Sequence, residues 1–165
     1  MTSEHEPREG GCTCGHVRYR MTNSPLIVHC CHCRFCQQQS GASFAVNALI
    51  EAEEVELLSG SVDKIMTPSP SGKGQQIVRC AECKVAVWSN YYFSGLFERI
   101  NFIRVGTLED PDQLPPDVHI FTSSKQPWVV LPPGDLAVDT YYVTKDTWSD
   151  ESYQRLQVVA DAAGI

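Results

Sequence analysis

No stretch of this sequence approaches the ~18 consecutive apolar residues that a transmembrane helix needs. Its opening residues, MTSEHEPREGG, also lack the apolar core of a secretory signal. Both absences point to a cytoplasmic protein with no membrane partner. Basic residues are scarce: 13 Lys and Arg against 20 Asp and Glu give a net charge of −7. A nucleic-acid surface needs a basic face that displaces counterions from phosphates. With neither that balance nor a Lys/Arg run, DNA and RNA are not expected partners. No internal repeat or low-complexity segment interrupts the chain. The hydrophobic share of 42% and the charged share of 20% are those of an ordinary globular protein. A chain of 165 residues can bury roughly 70% of its unfolded surface. One domain over residues 10–165 is therefore expected, behind a mobile tail at residues 1–9.

Against these absences stand eight cysteines. Cytosolic thiols stay reduced, so such cysteines read as metal ligands or catalysts rather than a disulfide framework. They fall into three clusters: Cys12 and Cys14; Cys30, Cys31, Cys33 and Cys36; Cys80 and Cys83. A C-x-C or C-x-x-C pair can place both sulfurs on one tetrahedral ion at ~2.3 Å when the backbone turns sharply between them. Glycines at 10, 11 and 15 allow that turn around the first pair. Two pairs distant in sequence, Cys12 with Cys14 and Cys80 with Cys83, can then form one four-thiolate structural site that clamps remote strands. The middle segment, HCCHCRFCQQQSG, leaves a three-thiolate set, Cys31, Cys33 and Cys36. Three protein ligands with one position open is the pattern of a catalytic zinc. Cys30 reads as a spare thiol, and His32 as a group that supports a ligand or moves a proton. A redox reading of Cys33 and Cys36 would require a helix opening inside a βαβ unit, and the flanking sequence is β-rich.

The stretches GGCTCGHVRYR, CHCRFCQQQSG, CAEC and GTLEDPDQLPPDVHIFTSSKQPW, in that order over residues 10–128, resemble the glutathione-dependent formaldehyde-activating enzyme family, also called the centromere-protein-V-like family. WSDESYQRL near the end is also typical. The resemblance implies a β-tent similar to the zinc-binding chaperones of Rab GTPases. It implies two zincs per chain, one structural on Cys12, Cys14, Cys80 and Cys83 and one labile on Cys31, Cys33 and Cys36. It also implies a carbon–sulfur lyase activity of the S-(hydroxymethyl)glutathione synthase type, with glutathione or a similar thiol and formaldehyde as substrates. One departure stands out. The family usually has glycine after its last cysteine pair, where this chain has Lys84; a left-handed residue bearing a Cβ there would cost about 1 kcal/mol.

The expected fold class is mainly β, with a short C-terminal helix. Alternation marks strands at residues 16–20 and 43–50, the latter placing Phe44, Val46, Ala48 and Ile50 on one face. Residues 85–91 and 100–105 are short, β-branched and aromatic, and turn-forming stretches separate the candidates. Residues 33–39 suit a short helical turn. Ser149 as cap and Asp150 and Glu151 in the first turn predict a helix over 150–162 that packs Tyr153, Leu156 and Val159 inward. An anionic thiol such as glutathione would need cations against a −7 chain. Arg34 is the first candidate, as catalytic and substrate-binding group, and Lys125 the second, with Lys73, Arg79 and Lys84 behind them. His119, Trp88, Trp128 and Phe121 read as packing or hydrogen-bonding residues. Two non-enzymatic alternatives remain: a zinc-stabilised β module that binds a protein, and a thiol-rich metal buffer whose Cys30 closes the middle site.

Overall fold

The computed structural model describes residues 6–92 and 95–165. The chain runs β1 (Arg8–Gly11), β2 (Arg18–Met21), β3 (Ile27–Cys31), α1 (Arg34–Ser40), β4 (Ala45–Glu51), β5 (Val55–Ser59), β6 (Val62–Thr67), β7 (Gln75–Cys80), β8 (Ala86–Tyr91), β9 (Ile100–Arg104), β10 (Val118–Ile120), α2 (Thr144–Thr147) and α3 (Asp150–Ala163). Three strands form a small sheet in the order β1-β2-β5. Seven form a larger one, β10-β3-β4-β9-β8-β7-β6, antiparallel except where β10 joins β3 in parallel. The protein is mainly β, as its composition and alternation predict.

Both faces of the large sheet are covered. Val17, Tyr19 and Met21, from β2 and the turn before it, pack with Val28, Ala48, Ile50, Val78 and Ile103. On the other face Ile27, Leu49, Ile100, Phe102 and Val118 pack with Trp148 and Leu156, from the C-terminal segment and α3. This explains a difference from the expected one-sided strand at 43–50. Interior strand β4 buries both of its faces, with Val46 alone only half-buried, and Phe44, just before it, is exposed.

The C-terminal helix starts where its cap signal places it. Ser149 Oγ accepts the Ser152 N–H, and left-handed Gly164 ends the helix. Leu156 is buried and Val159 packs beside it. The short helical turn expected at 33–39 is α1, and among the described residues α2 is a further short helix that the sequence did not signal. The expected tail also ends earlier: Arg8 and Glu9 pair with Met21 and Arg20 in β1, while residues 1–5 lie outside the described residues. Trp88 packs edge-on against Tyr19, whereas Trp128, read as packing, is 71% exposed.

One ion pair fastens α3 to the sheet. Arg155 donates to both carboxylate oxygens of buried Glu51, at 2.8 and 2.6 Å, and to the Ser24 carbonyl at 3.0 Å. Removing one partner of a buried pair strands the other charge. Arg155→Ala should therefore destabilise the protein by about 3 kcal/mol in denaturant unfolding, far more than an exposed arginine does.

Candidate functional site

The four outer cysteines come from two hairpins on different sheets. Cys12 and Cys14 occupy the turn between β1 and β2; Cys80 ends β7, and Cys83 lies in the turn before β8. Their sulfurs all lie within 4.8 Å of one another. Cys12 and Cys14 are 3.4 Å apart, and Cys14 and Cys80 3.8 Å. A tetrahedral four-thiolate ion with ~2.3 Å bonds has sulfur–sulfur edges of ~3.8 Å. Backbone N–H groups of Val17 and Glu82 donate to the Cys12 and Cys80 sulfurs at 3.2 and 3.4 Å, as thiolate ligands require. The donor set fits a metal of the zinc type. Lys84 completes the second knuckle at φ 64°, the left-handed conformation that its position predicts. Its N–H bonds the Cys80 carbonyl at 3.1 Å, and its ammonium reaches Asp63 and the Ala81 carbonyl.

The inner cysteines owe their arrangement to β3 and α1. Cys31 ends β3; Cys33 caps α1 and accepts the Cys36 N–H at 3.3 Å; Cys36 lies in the first turn. All three are buried, and their sulfurs also lie within 4.8 Å of one another. The Cys31 and then the Cys36 thiols hydrogen-bond to Cys33 and hold its pKa well below the ordinary thiol value, at about 3. The same sharing, with burial, raises Cys31. One sulfur thus bears negative charge readily, which suits a metal ligand set. The redox alternative meets a topological objection, because β3 and β4, which flank α1, are antiparallel rather than a parallel βαβ pair.

A cavity of about 510 Å³ opens directly onto Cys31, Cys33 and Cys36. Its walls are largely aromatic, including Tyr91, Phe102, Phe121, Tyr141 and Tyr142. Tyr91 Oη lies 3.9 Å from the Cys36 sulfur, and burial pushes its pKa well above the usual phenol value. Tyr142 accepts the Trp148 indole N–H at 2.8 Å and hydrogen-bonds His29 Nε2. Burial lowers the His29 pKa to about 3, so its ring is neutral at physiological pH. Phe121 is held in the left-handed region at φ 56°. An aromatic residue there is strained, and such strain gathers at functional sites.

Behind the inner cysteines lies a buried cation. Arg104, 9% exposed, donates to Asn47 Oδ1 at 2.8 Å and hydrogen-bonds Gln39 Oε1. Among the described residues no carboxylate pairs with it. The Cys36 pKa stands above the ordinary thiol value, at about 11: the Cys31 hydrogen bond lowers it, Cys33 and burial raise it, and the Arg104 charge opposes that rise, so the inner cysteines lie within its field.

Other expected residues stand elsewhere. Cys30 projects to the opposite face of β3 and joins His32 and His119 rather than the inner triad. Its sulfur lies 3.5 Å from His32 Nε2, His32 Nε2 lies 3.1 Å from His119 Nδ1, and His119 Nε2 lies 3.1 Å from Asp135. The His32 side chain is fully buried outside the cavity lining. Burial, followed by His119 and Lys125, lowers its pKa to about 4. Arg34 is exposed and donates to Gln37 at 2.8 Å; Lys125 donates to the Val129 carbonyl at 2.6 Å. Neither lines the cavity. Sequence reasoning missed His29, although its two-residue offset from Cys31 on a strand marks the same face. It also missed Tyr91, Tyr141 and Tyr142, the last two in a segment with no strand or α-helix.

A sequence model of the glutathione-dependent formaldehyde-activating enzyme family matches residues 7–124. The chain belongs to that family. No curated protein matches it. Among solved structures, a crystal structure of a Rhodobacter sphaeroides protein is similar, with 16% identity and a TM-score of 0.43 over 61% of this chain and 87% of that one.

Three outcomes test these assignments. Cys80→Ser should yield insoluble or strongly destabilised protein, because metal binding that joins two hairpins is folding free energy; an unchanged melting temperature would refute the outer site. Lys84→Gly should stabilise by about 1 kcal/mol in denaturant unfolding, since it relieves the left-handed Cβ and loses only exposed contacts, the Asp63 ion pair and the hydrogen bond to the Ala81 carbonyl. Arg104→Met should weaken metal retention at the inner site by at least about tenfold in a chelator competition, with the outer metal unaffected.

Proposed function

We propose that this protein is a zinc-dependent carbon–sulfur lyase that joins or cleaves a thiol and a small aldehyde such as formaldehyde, glutathione being the thiol that the family name supplies. The observation that carries this reading is the inner cysteine triad opening onto a cavity, with no fourth protein ligand grouped with it among the described residues. A metal buffer would favour a closed site, and Cys30, the thiol best placed in sequence to close this one, faces away.

Zinc held by Cys31, Cys33 and Cys36 would lower the pKa of a thiol at the open position, so that its thiolate predominates at neutral pH. The chain's own groups do the rest. In the synthetic direction the thiol sulfur forms a bond to the aldehyde carbon, and the proton lost by the thiol ends on the former carbonyl oxygen. Cleavage reverses both changes. Tyr91, whose proton is held tightly, can donate a hydrogen bond to that oxygen beside Cys36. The aromatic walls hold the two reactants together, the main service needed for a reaction that also runs uncatalysed. His32 acts as a positioning residue through its main chain. Its carbonyl accepts from Gln37 Nε2 at 2.8 Å and Ser124 Oγ at 3.0 Å, tying the turn between Cys31 and Cys33 to the segment after β10.

Metal analysis before and after a mild chelator, combined with a thiol and formaldehyde assay, tests the reading. Two metal equivalents are expected, one of them removable with loss of turnover but not of fold. Cys33→Ser should fold and turn over at the uncatalysed background. One inert metal and no catalysis above background would sink the proposal.

A further inference from the structure

Size does not limit which thiol enters a cavity of about 510 Å³, which is ample for a drug-sized molecule. Charge does. No lysine or arginine lines the cavity among the described residues, and the remaining residues, 1–5 and 93–94, contain none. Four of the cations expected to serve have other partners: Arg34 bonds Gln37, Lys125 bonds backbone carbonyls of Val129 and Gln126, Arg79 bonds the Lys84 carbonyl, and Lys84 pairs with Asp63; Arg104, which the sequence did not single out, is held by Asn47 and Gln39. Lys73 is exposed on the turn that carries Ser69, Pro70 and Ser71, and it lies outside the lining. The imidazole of His29, on the cavity wall, is engaged by Tyr142. A peptide-like thiol with two carboxylates would meet no counter-charge here, against a chain of net charge −7. Leaving water for such a site costs a carboxylate several kcal/mol without a partner.

The walls offer a different complement. Phe102, Ile120 and Phe121 present apolar surface. Tyr141 and Tyr142 stack with ring centroids 4.5 Å apart and planes 15° apart, and Tyr141 is 38% exposed, leaving part of its ring free for a ligand. An aromatic or aliphatic ligand gains contact and burial at these surfaces with no charge to desolvate. Resting on the lyase reading above, we propose that the cavity selects thiols with an uncharged, apolar body over peptide thiols such as glutathione.

Binding and turnover separate the two ideas. The binding arm uses benzyl methyl sulfide and S-methylglutathione, thioethers that cannot react, titrated calorimetrically into the metal-loaded protein. Benzyl methyl sulfide should bind at least about tenfold tighter. Tyr141→Ala should weaken it about fivefold, and Thr144→Lys, which adds a cation to the lining, should strengthen S-methylglutathione about fivefold. Equal or tighter binding of S-methylglutathione by the unaltered protein overturns the proposal, whatever the catalytic result. The turnover arm compares phenylmethanethiol and glutathione with formaldehyde. A higher kcat/KM for phenylmethanethiol supports both readings, and a higher one for glutathione overturns the selectivity while leaving the lyase intact. If neither thiol reacts above background, the lyase reading falls, and the apolar preference is decided by the titrations alone.

Discussion

The arrangement of the site depends on the two-residue period of β3. Successive side chains on a strand point to opposite faces, so the run IVHCC divides cleanly. Ile27 and Cys31 pack on the cavity face, and His29 lines the cavity itself; Val28 packs toward the small sheet, and Cys30 meets His32 and His119 on that side. Two adjacent cysteines in one motif therefore cannot serve one ion. A one-residue slip against β4 would exchange them and send His29 into the other core. The pairing resists that slip because all five residues of β3 are buried, leaving no solvent face to absorb an error.

This constraint also shows what the sequence made legible. Cysteine spacing sorts the outer four from the inner three because ligand geometry is local, and a C-x-C or C-x-x-C turn reaches one ion almost regardless of fold. The helix at the C-terminus announces itself through Ser149 and Gly164. Strand β3 does not, since a strand buried on both faces reads as a plain apolar run without alternation. Arg34 and Lys125 illustrate a further limit. Proximity in sequence to Cys33 or to the HIF segment suggests a substrate contact, yet each side chain finds an acceptor nearer its own backbone. The cavity walls were least legible, because Tyr141 and Tyr142 reach them from a segment whose path is set by tertiary contact, such as the Phe121 N–H to Thr140 carbonyl bond at 2.8 Å.

Electrostatics links the sheet to the inner cysteines. Three thiolates gathered in a buried site would repel one another, and a divalent cation would leave the group with a net negative charge. Arg104, held on β9 by two neutral amide oxygens, keeps its full positive charge available to them. A carboxylate partner would have quenched that charge. Asn47 and Gln39 instead satisfy the guanidinium hydrogen bonds without neutralising it, which suits a cation whose role is field rather than contact.

The two cysteine groups also divide mechanical labour. The outer group joins hairpins from separate sheets and so belongs to the fold. The inner group sits on one local turn, where losing a ligand releases no distant strand. The inner ligands and the cavity walls are distributed differently along the chain. Every inner ligand lies within the family-matched residues 7–124, whereas Tyr141, Tyr142 and Thr144 lie beyond them. The segment that follows the match runs alongside edge strand β10, pairing through His119 and Val138, and brings Tyr141 and Tyr142 to the cavity that the cysteines line. In the proposed reaction the inner ligands would activate a thiol, while aromatic residues on both sides of the end of the match, Phe102 and Phe121 before it and Tyr141 and Tyr142 beyond it, wall the cavity that receives it.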